Sequence, residues 1–332
     1  MKKIINNGEN VVEEMLQGMV KAHPEYLTRV EGHNVLIRKE SPVKGKVALV
    51  SGGGSGHEPA HAGYVGLGML DGAVAGEVFT SPTPEQVLEA IKAVDGGEGV
   101  LLVIKNYTGD VMNFEMAAEL AEMEGIKVEQ VLVNDDVAVE DSTYTVGRRG
   151  IAGTVFVHKI AGAAAEKGME LDEVKRIAEK TIGNVRSMGM SLTPCIVPAA
   201  GKPSFEIGED EMEMGLGIHG EPGTHKEKIR PANEITDHLL EKILEDMKLE
   251  SGNEVAVMVN GLGGTPLMEL YIVNREIDRV LNGKDIKVHK TLVGNYMTSL
   301  EMAGLSITLL KLDEELKGLL DSKADTPAFR QL

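Results

Sequence analysis

The sequence predicts an α/β protein of two α/β domains. The first, residues 1–186, is expected to be a three-layer α/β/α unit on a mainly parallel sheet. The second, residues 187–332, is expected to be a smaller unit on a mixed sheet. Three observations carry this expectation. Short apolar, β-branched runs alternate with longer stretches of helical pattern, the signature of βαβ units whose crossover helices cover a parallel sheet. Each run in the first half ends in glycine or polar residues. A break containing Pro and Gly, residues 193–203, then precedes a second set of strands and helices.

Residues 47–50 (Val-Ala-Leu-Val) read as a buried strand running into glycines. Residues 99–104 form a second strand that ends at Lys105-Asn106, and residues 128–133 a third that ends at Asn134-Asp135-Asp136. Residues 84–94 and 113–124 between them read as helices, and two further helices follow at 155–167 and 171–184. Strands are expected at 254–260, 286–292 and 307–310, with helices at 233–247 and 266–281. Ligands of open α/β sheets bind beyond the carboxyl ends of the strands, so the chemistry should gather there.

Composition narrows the function. The chain has 332 residues, 42% of them hydrophobic, so it can bury a substantial core. Net charge is −18 and aromatics make up 3%, which argues against nucleic-acid binding: that needs cations to displace phosphate counterions and rings to stack on bases. The 17 methionines read as fillers of irregular core gaps. Cys195 is the single cysteine, set among apolar residues, so it reads as packing, and a reducing cytoplasm is the simplest fit. Met1-Lys2-Lys3-Ile4 lacks the apolar run of a signal peptide, and no stretch of about 20 apolar residues offers a membrane span.

Two familiar patterns match the wrong chemistry. His57-Glu58-Pro59-Ala60-His61 fits the zinc-protease H-E-x-x-H, which needs both histidines on one helix face. Pro59 belongs in a first helical turn, which would leave His57 ahead of the helix, and no third ligand is evident; no metal is expected. Gly215-Leu216-Gly217-Ile218-His219-Gly220 fits G-x-G-x-x-G, but it runs into Glu221-Pro222-Gly223, a turn, where a dinucleotide fingerprint opens a helix. Residues 51–57 lack the Lys-Ser/Thr of a Walker A loop.

Three constellations remain. Residues 51–57 follow a strand, carry four glycines and are expected to open a helix; such a loop lets backbone N–H groups approach a small polar ligand. Lys105 and Asp110 follow the next strand in an expected loop. His219 has glycines within two residues on both sides, which suits a side chain presented into a cleft. His23, His33, His158, His225, His238 and His289 lack such a setting and read as surface or structural.

At these residues the sequence resembles the dihydroxyacetone kinase family, specifically the substrate-binding K subunit of bacterial, phosphotransferase-system-dependent kinases. The likeness runs through Lys3-Ile4-Ile5-Asn6-Asn7, Gly52-Gly53-Gly54-Ser55-Gly56-His57-Glu58-Pro59, Val103 to Asp110 and Gly150-Ile151-Ala152-Gly153-Thr154. It continues through Ser187-Met188-Gly189, Gly217 to Gly223, Asn260 to Thr265 and Leu292 to Ser299, covering essentially the whole chain. The resemblance implies two α/β domains, a homodimer and a hemiaminal between the His219 imidazole and the ketone. It implies that Gly54, Ser55, Gly56 and His57 line the substrate pocket with Lys105 and Asp110 beside them. Asp110 would be the general base, and His57 would orient the reacting hydroxyl. Kinases of the family that use ATP directly carry a helical nucleotide domain on the same chain, and with this sequence ending at Leu332 no such domain is expected here. No cofactor is expected on it: ADP or ATP with Mg would sit on a nucleotide-binding L-type subunit, fed by a phosphohistidine phosphotransferase subunit. The competing reading is a ketone-sensing paralogue that acts as a transcriptional co-regulator; His57 together with Asp110 favours the enzyme. An NAD-dependent oxidoreductase fails on the context of the glycine pattern.

Overall fold

The computed structural model describes residues 2–139, 147–221 and 223–332, so Pro222 of the expected turn lies outside the described residues. Helix α1 (Val11–Ala22) precedes β1 (Leu27–Arg29), β2 (Val35–Arg38), β3 (Ala48–Ser55) and β4 (Gly72–Val78). Then come α2 (Pro84–Val94), β5 (Val100–Lys105), α3 (Thr108–Met123) and β6 (Val128–Val133). These six strands form one sheet in the order β1-β2-β4-β3-β5-β6. The pairings β4–β3, β3–β5 and β5–β6 are parallel; β1–β2 and β2–β4 are antiparallel.

Two helices, α4 (Thr154–Glu166) and α5 (Leu171–Asn184), lead to the second half. It contains β7 (Val185–Ser191), β8 (Glu211–Met214), β9 (His225–Lys228), α6 (Ala232–Met247) and β10 (Glu254–Gly261). It ends with α7 (Leu267–Gly283), β11 (Lys287–Gly294), β12 (Gly304–Leu312) and α8 (Glu314–Leu320), followed by the small ribbon β13 (Ala324–Asp325) and β14 (Arg330–Gln331). The second sheet runs β11-β10-β12-β7-β8-β9, with β10–β11 parallel and the rest antiparallel.

The apolar runs are continuous because both faces of the central strands are covered. Ala48 and Val50 of β3 and Val100, Leu102 and Ile104 of β5 pack with α2 and α3. Their alternate neighbours Leu49, Leu101 and Val103 pack with α4 and α5, as the two-residue period of a strand requires. In the second sheet Val255, Val257 and Val259 face α6 and α7, while Ala256 and Met258 join the cluster around α4, α5 and α8. The two sheets therefore share one central helical layer. Thr154 through Ala165 of α4 are all buried, which explains a helix with apolar residues on every side, His158 and Lys159 being buried among them.

The structure corrects three local readings. The expected glycine loop is strand: β3 continues through Gly52, Gly53 and Gly54 to Ser55, and only the three-residue 3₁₀ turn Ala62–Tyr64 follows, with no α-helix. The glycines answer a packing demand, since a Cβ on Gly54 would meet the Thr80 nitrogen at 2.5 Å. Helix α3 begins at Thr108, so Asp110 sits in its first turn and Lys105 is the last residue of β5, not in a loop. Methionine does fill the second core (Met188, Met190, Met212, Met214), but Met112, Met116 and Met123 on α3 and Met268 on α7 are exposed. Cys195 is buried, with its Sγ 3.5 Å from the Ser204 hydroxyl.

Candidate active site

His219 lies in the turn that joins β8 to β9, whose pairing closes at Met214 and His225. Gly215 (φ 69°) and Gly220 (φ 76°) take the left-handed conformation that reverses the chain there. The turn hangs over the carboxyl ends of β3 and β5 and closes a cleft of about 590 Å³. Gly54, Phe79, Tyr107, Asp110, Phe205 and His219 are among its walls. Three rings hold the His219 imidazole edge-on: Tyr107 at 4.5 Å, His57 at 4.7 Å and Phe79 at 5.2 Å between centroids.

Glu221 fixes the chemistry of that ring. Its Oε2 accepts from the His219 backbone N–H at 2.8 Å, and its Oε1 lies 2.9 Å from His219 Nδ1. Burial pushes the Glu221 carboxyl up, but His219 and Arg149 outweigh it and hold the group at about 2. Glu221 is thus a buried anion, Nδ1 carries a hydrogen toward it, and Nε2 is the ring nitrogen left for a lone pair. Arg149 is itself fully buried, bound to Asp136 at 2.7 Å and to the Gly215 carbonyl.

His57 is also fully buried. Its Nδ1 donates to the Thr298 carbonyl at 2.8 Å, so its acceptor is Nε2, which has no partner among the described residues. Burial, then His219 and Lys105, drive its pKa well below 6.5 and keep it neutral. Asp110 Oδ1 is likewise buried and without a partner among the described residues. Its Oδ2 faces Lys105 Nζ at 3.8 Å, and Lys105, with no exposure, also reaches the Gly52 carbonyl at 3.4 Å. Gly53 (φ 148°) makes room for this: a Cβ there would meet Lys105 Nζ at 2.5 Å.

Of the residues expected from sequence, Gly54, Asp110 and His219 line the cleft, His57 packs on His219, and Lys105 stands behind Asp110. Ser55 and Gly56 line a second cavity of about 540 Å³ beside α1 instead. The Ser55 hydroxyl donates to the Gly76 carbonyl, and the Gly56 N–H donates to Glu58. Sequence reasoning missed Glu221, Tyr107, Phe79 and Arg149. For Glu221 the signal was a carboxylate two residues beyond the glycine-flanked histidine; Phe79 and Arg149 had none. The H-E-x-x-H histidines part company, with His57 on Thr298 and His61 on Lys105. Among the described residues no group of His, Cys, Asp and Glu could hold a metal ion, and no helix is long and apolar enough to cross a membrane.

The profile of the Dak1 domain matches residues 17–328. The chain belongs to the Dak1 family of dihydroxyacetone kinases. It is 58% identical to the dihydroxyacetone-binding subunit DhaK of PTS-dependent dihydroxyacetone kinase 1 from Listeria innocua, over 99% of this chain and 100% of that one. Among solved structures, a dihydroxyacetone kinase operon co-activator, Dha-DhaQ, superposes with a TM-score of 0.90 at 37% identity, over 96% of this chain and 98% of the other. The dihydroxyacetone kinase of C. freundii gives 0.90 at 36%, over 99% of this chain and 60% of that longer one. The kinases of this family are phosphotransferases with an alcohol group as acceptor.

Proposed function

We propose that the chain is the dihydroxyacetone-binding subunit of a phosphoenolpyruvate-dependent kinase and that it holds the ketone as a hemiaminal on His219. The observation that carries the chemistry is the His219–Glu221 pair, which leaves the Nε2 lone pair for a carbonyl carbon. Nε2 adds to that carbon, the carbonyl π bond breaks, and its electrons go to oxygen. The oxygen takes up a proton and the ring gives one up, so the adduct forms with no net change in protons. The buried Glu221 anion stabilises the imidazolium that develops in between.

Two buried acceptors without donors among the described residues, His57 Nε2 and Asp110 Oδ1, support a ligand that brings hydroxyl hydrogens. A dihydroxy ketone has two. Asp110 takes the proton of the hydroxyl that attacks phosphorus, and His57 orients that hydroxyl. Covalent capture answers a problem of affinity. So small a neutral ligand gains at best about 1.5 kcal/mol per heavy atom, and each exchanged hydrogen bond nets only about 1 kcal/mol. Addition to the carbonyl strengthens binding, rejects glycerol, which has no carbonyl, and fixes the hydroxyl for in-line transfer.

In this reading ADP or ATP with Mg sits on an L-type partner subunit that is recharged by a phosphohistidine subunit, and the chain is a cytoplasmic homodimer. Intact-protein mass spectrometry with dihydroxyacetone tests the adduct: the chain gains the ketone's mass and His219→Ala does not. An Ala variant that still gains it refutes the covalent assignment. The likeness to the co-activator favours one second reading, a ketone sensor that regulates transcription. Adding the nucleotide-bearing and phosphohistidine subunits with phosphoenolpyruvate separates the two, since a sensor gives no ketone phosphate.

A further inference from the structure

Behind the cleft lies a buried chain of groups that the proposed mechanism does not use. Lys105 Nζ is 3.2 Å from His61 Nε2, and His61 Nδ1 is 3.0 Å from His158 Nε2 and 3.3 Å from the Ser51 hydroxyl oxygen. Its direction can be worked out. Ser51 donates its hydrogen to the Val103 carbonyl at 2.6 Å, so toward His61 it can only accept. His61 therefore carries its proton on Nδ1, and its Nε2 lone pair accepts from the Lys105 ammonium. His158 Nε2 accepts from His61 in turn, which puts the His158 proton on Nδ1, a buried atom without a partner among the described residues. Both rings stay neutral. Burial, then Lys105, His158 and His57, hold His61 well below 6.5; burial, then Lys105, hold His158 at about 3.

The ammonium at the head of this chain faces Asp110, with Glu221 the other anion that acts on it. It stands 3.8 Å from Asp110 Oδ2, farther than a hydrogen-bonded ion pair. We propose that His61 and His158 are positioning residues, which tie the Lys105 ammonium back beneath the glycines of β3 so that Asp110 keeps its oxygens for the substrate hydroxyl. A lysine released from His61 would close on the nearer anion and occupy the lone pairs that the reaction needs. This inference rests on Asp110 acting as the base.

Two measurements on the full chain test it. Long-range ¹⁵N–¹H correlation of the histidine side chains reads which ring nitrogen bears the proton. His61 and His158 both give the Nδ1–H pattern; a His61 protonated on Nε2 overturns the chain of bonds, whatever the catalytic role. Turnover with the partner subunits reads the coupling. His61→Leu lowers kcat by roughly tenfold, a part of what a general base supplies, while the ketone adduct forms at unchanged concentration. His61→Gln, whose amide oxygen offers the ammonium an acceptor, recovers most of the rate. In a Lys105→Met background His61→Leu has no further effect, because residues that act through one another are not additive. Equal losses with and without Lys105, or equal losses from Leu and Gln, mean that His61 merely packs, and they end the proposal. If His61→Leu does not fold, the tautomers and the Gln variant decide. If the unsubstituted chain and its partners make no ketone phosphate, the reading of Asp110 fails, and the tautomers alone decide the chain of bonds.

Discussion

Glu221→Gln isolates the electrostatic part of ketone capture. The substitution keeps the shape of the side chain and removes its charge. The carboxylate makes two bonds to one residue, at 2.8 Å to the His219 backbone N–H and 2.9 Å to Nδ1. An amide has one oxygen for those two donors. If the oxygen stays on the backbone, the NH₂ faces Nδ1, which must then give up its hydrogen and move the proton to Nε2, the atom proposed to attack. If the oxygen turns to Nδ1, the backbone N–H is left without an acceptor. In either arrangement the anion opposite the developing imidazolium is gone. A hydrogen bond to a charged group is worth about 1.5–3 kcal/mol, which corresponds to a roughly 10- to 150-fold weaker adduct. Titration with dihydroxyacetone, followed by intact mass under non-denaturing conditions, measures this directly, and circular dichroism checks the fold. An adduct in the Gln variant as tight as in the parent would refute the argument that Glu221 prepares His219.

Asp110→Asn should keep the adduct and lose phosphoryl transfer by roughly 100-fold or more, the scale of a general base; unchanged turnover with the partner subunits would remove Asp110 from the mechanism. Gly53→Ala adds a Cβ 2.5 Å from Lys105 Nζ at a φ of 148°, so it should strain β3, displace the ammonium and cut turnover more than adduct formation; an active Ala variant would show that the space is not needed. Acid should destabilise the fold early. His57, His61 and His158 have folded pKa values below their ordinary 6.5, so the stability they give is complete above pH 6.5 and is lost as pH falls. Each can remove up to about 1.4 kcal/mol per pH unit, and for His158, whose window runs down to about 3, the total approaches about 5 kcal/mol. Urea unfolding at pH 7, 6 and 5 should show this slope, and His158→Phe should flatten it by one proton; an identical slope in the variant would count against the burial argument.

Chemical pattern was legible along the chain wherever it was local. The helix at residues 84–94 is set by Thr83, whose side chain and Gln86 form a capping box ahead of Pro84, and its bounds match the expectation. The helix at 171–184 also matches, because one face of it repeats at helical spacing. His219 stood out because glycines crowd no ring. The glycines of β3 misled for the same local reason. Within the sequence they resemble a loop that brings backbone N–H groups to a small polar ligand, whereas their cause is the approach of Phe79, Thr80 and Lys105 from elsewhere in the chain. Strand β4, with its own Gly72 and Gly76, carried too weak a pattern to be read at all.

By itself the sequence determined the alternation of strands and helices, the family, and the residues His57, Lys105, Asp110 and His219 as a candidate set, because residue type and neighbours along the chain decide such things. Only the tertiary structure decided which atoms of those residues are free. The Nε2 of His219 is left by a buried Glu221, the Nε2 of His57 by the Thr298 carbonyl 241 residues away, and the Lys105 ammonium is held by His61 and, through it, by His158. A lone pair, a tautomer or a retracted charge depends on what touches each atom across the fold, and no spacing in the sequence records those contacts.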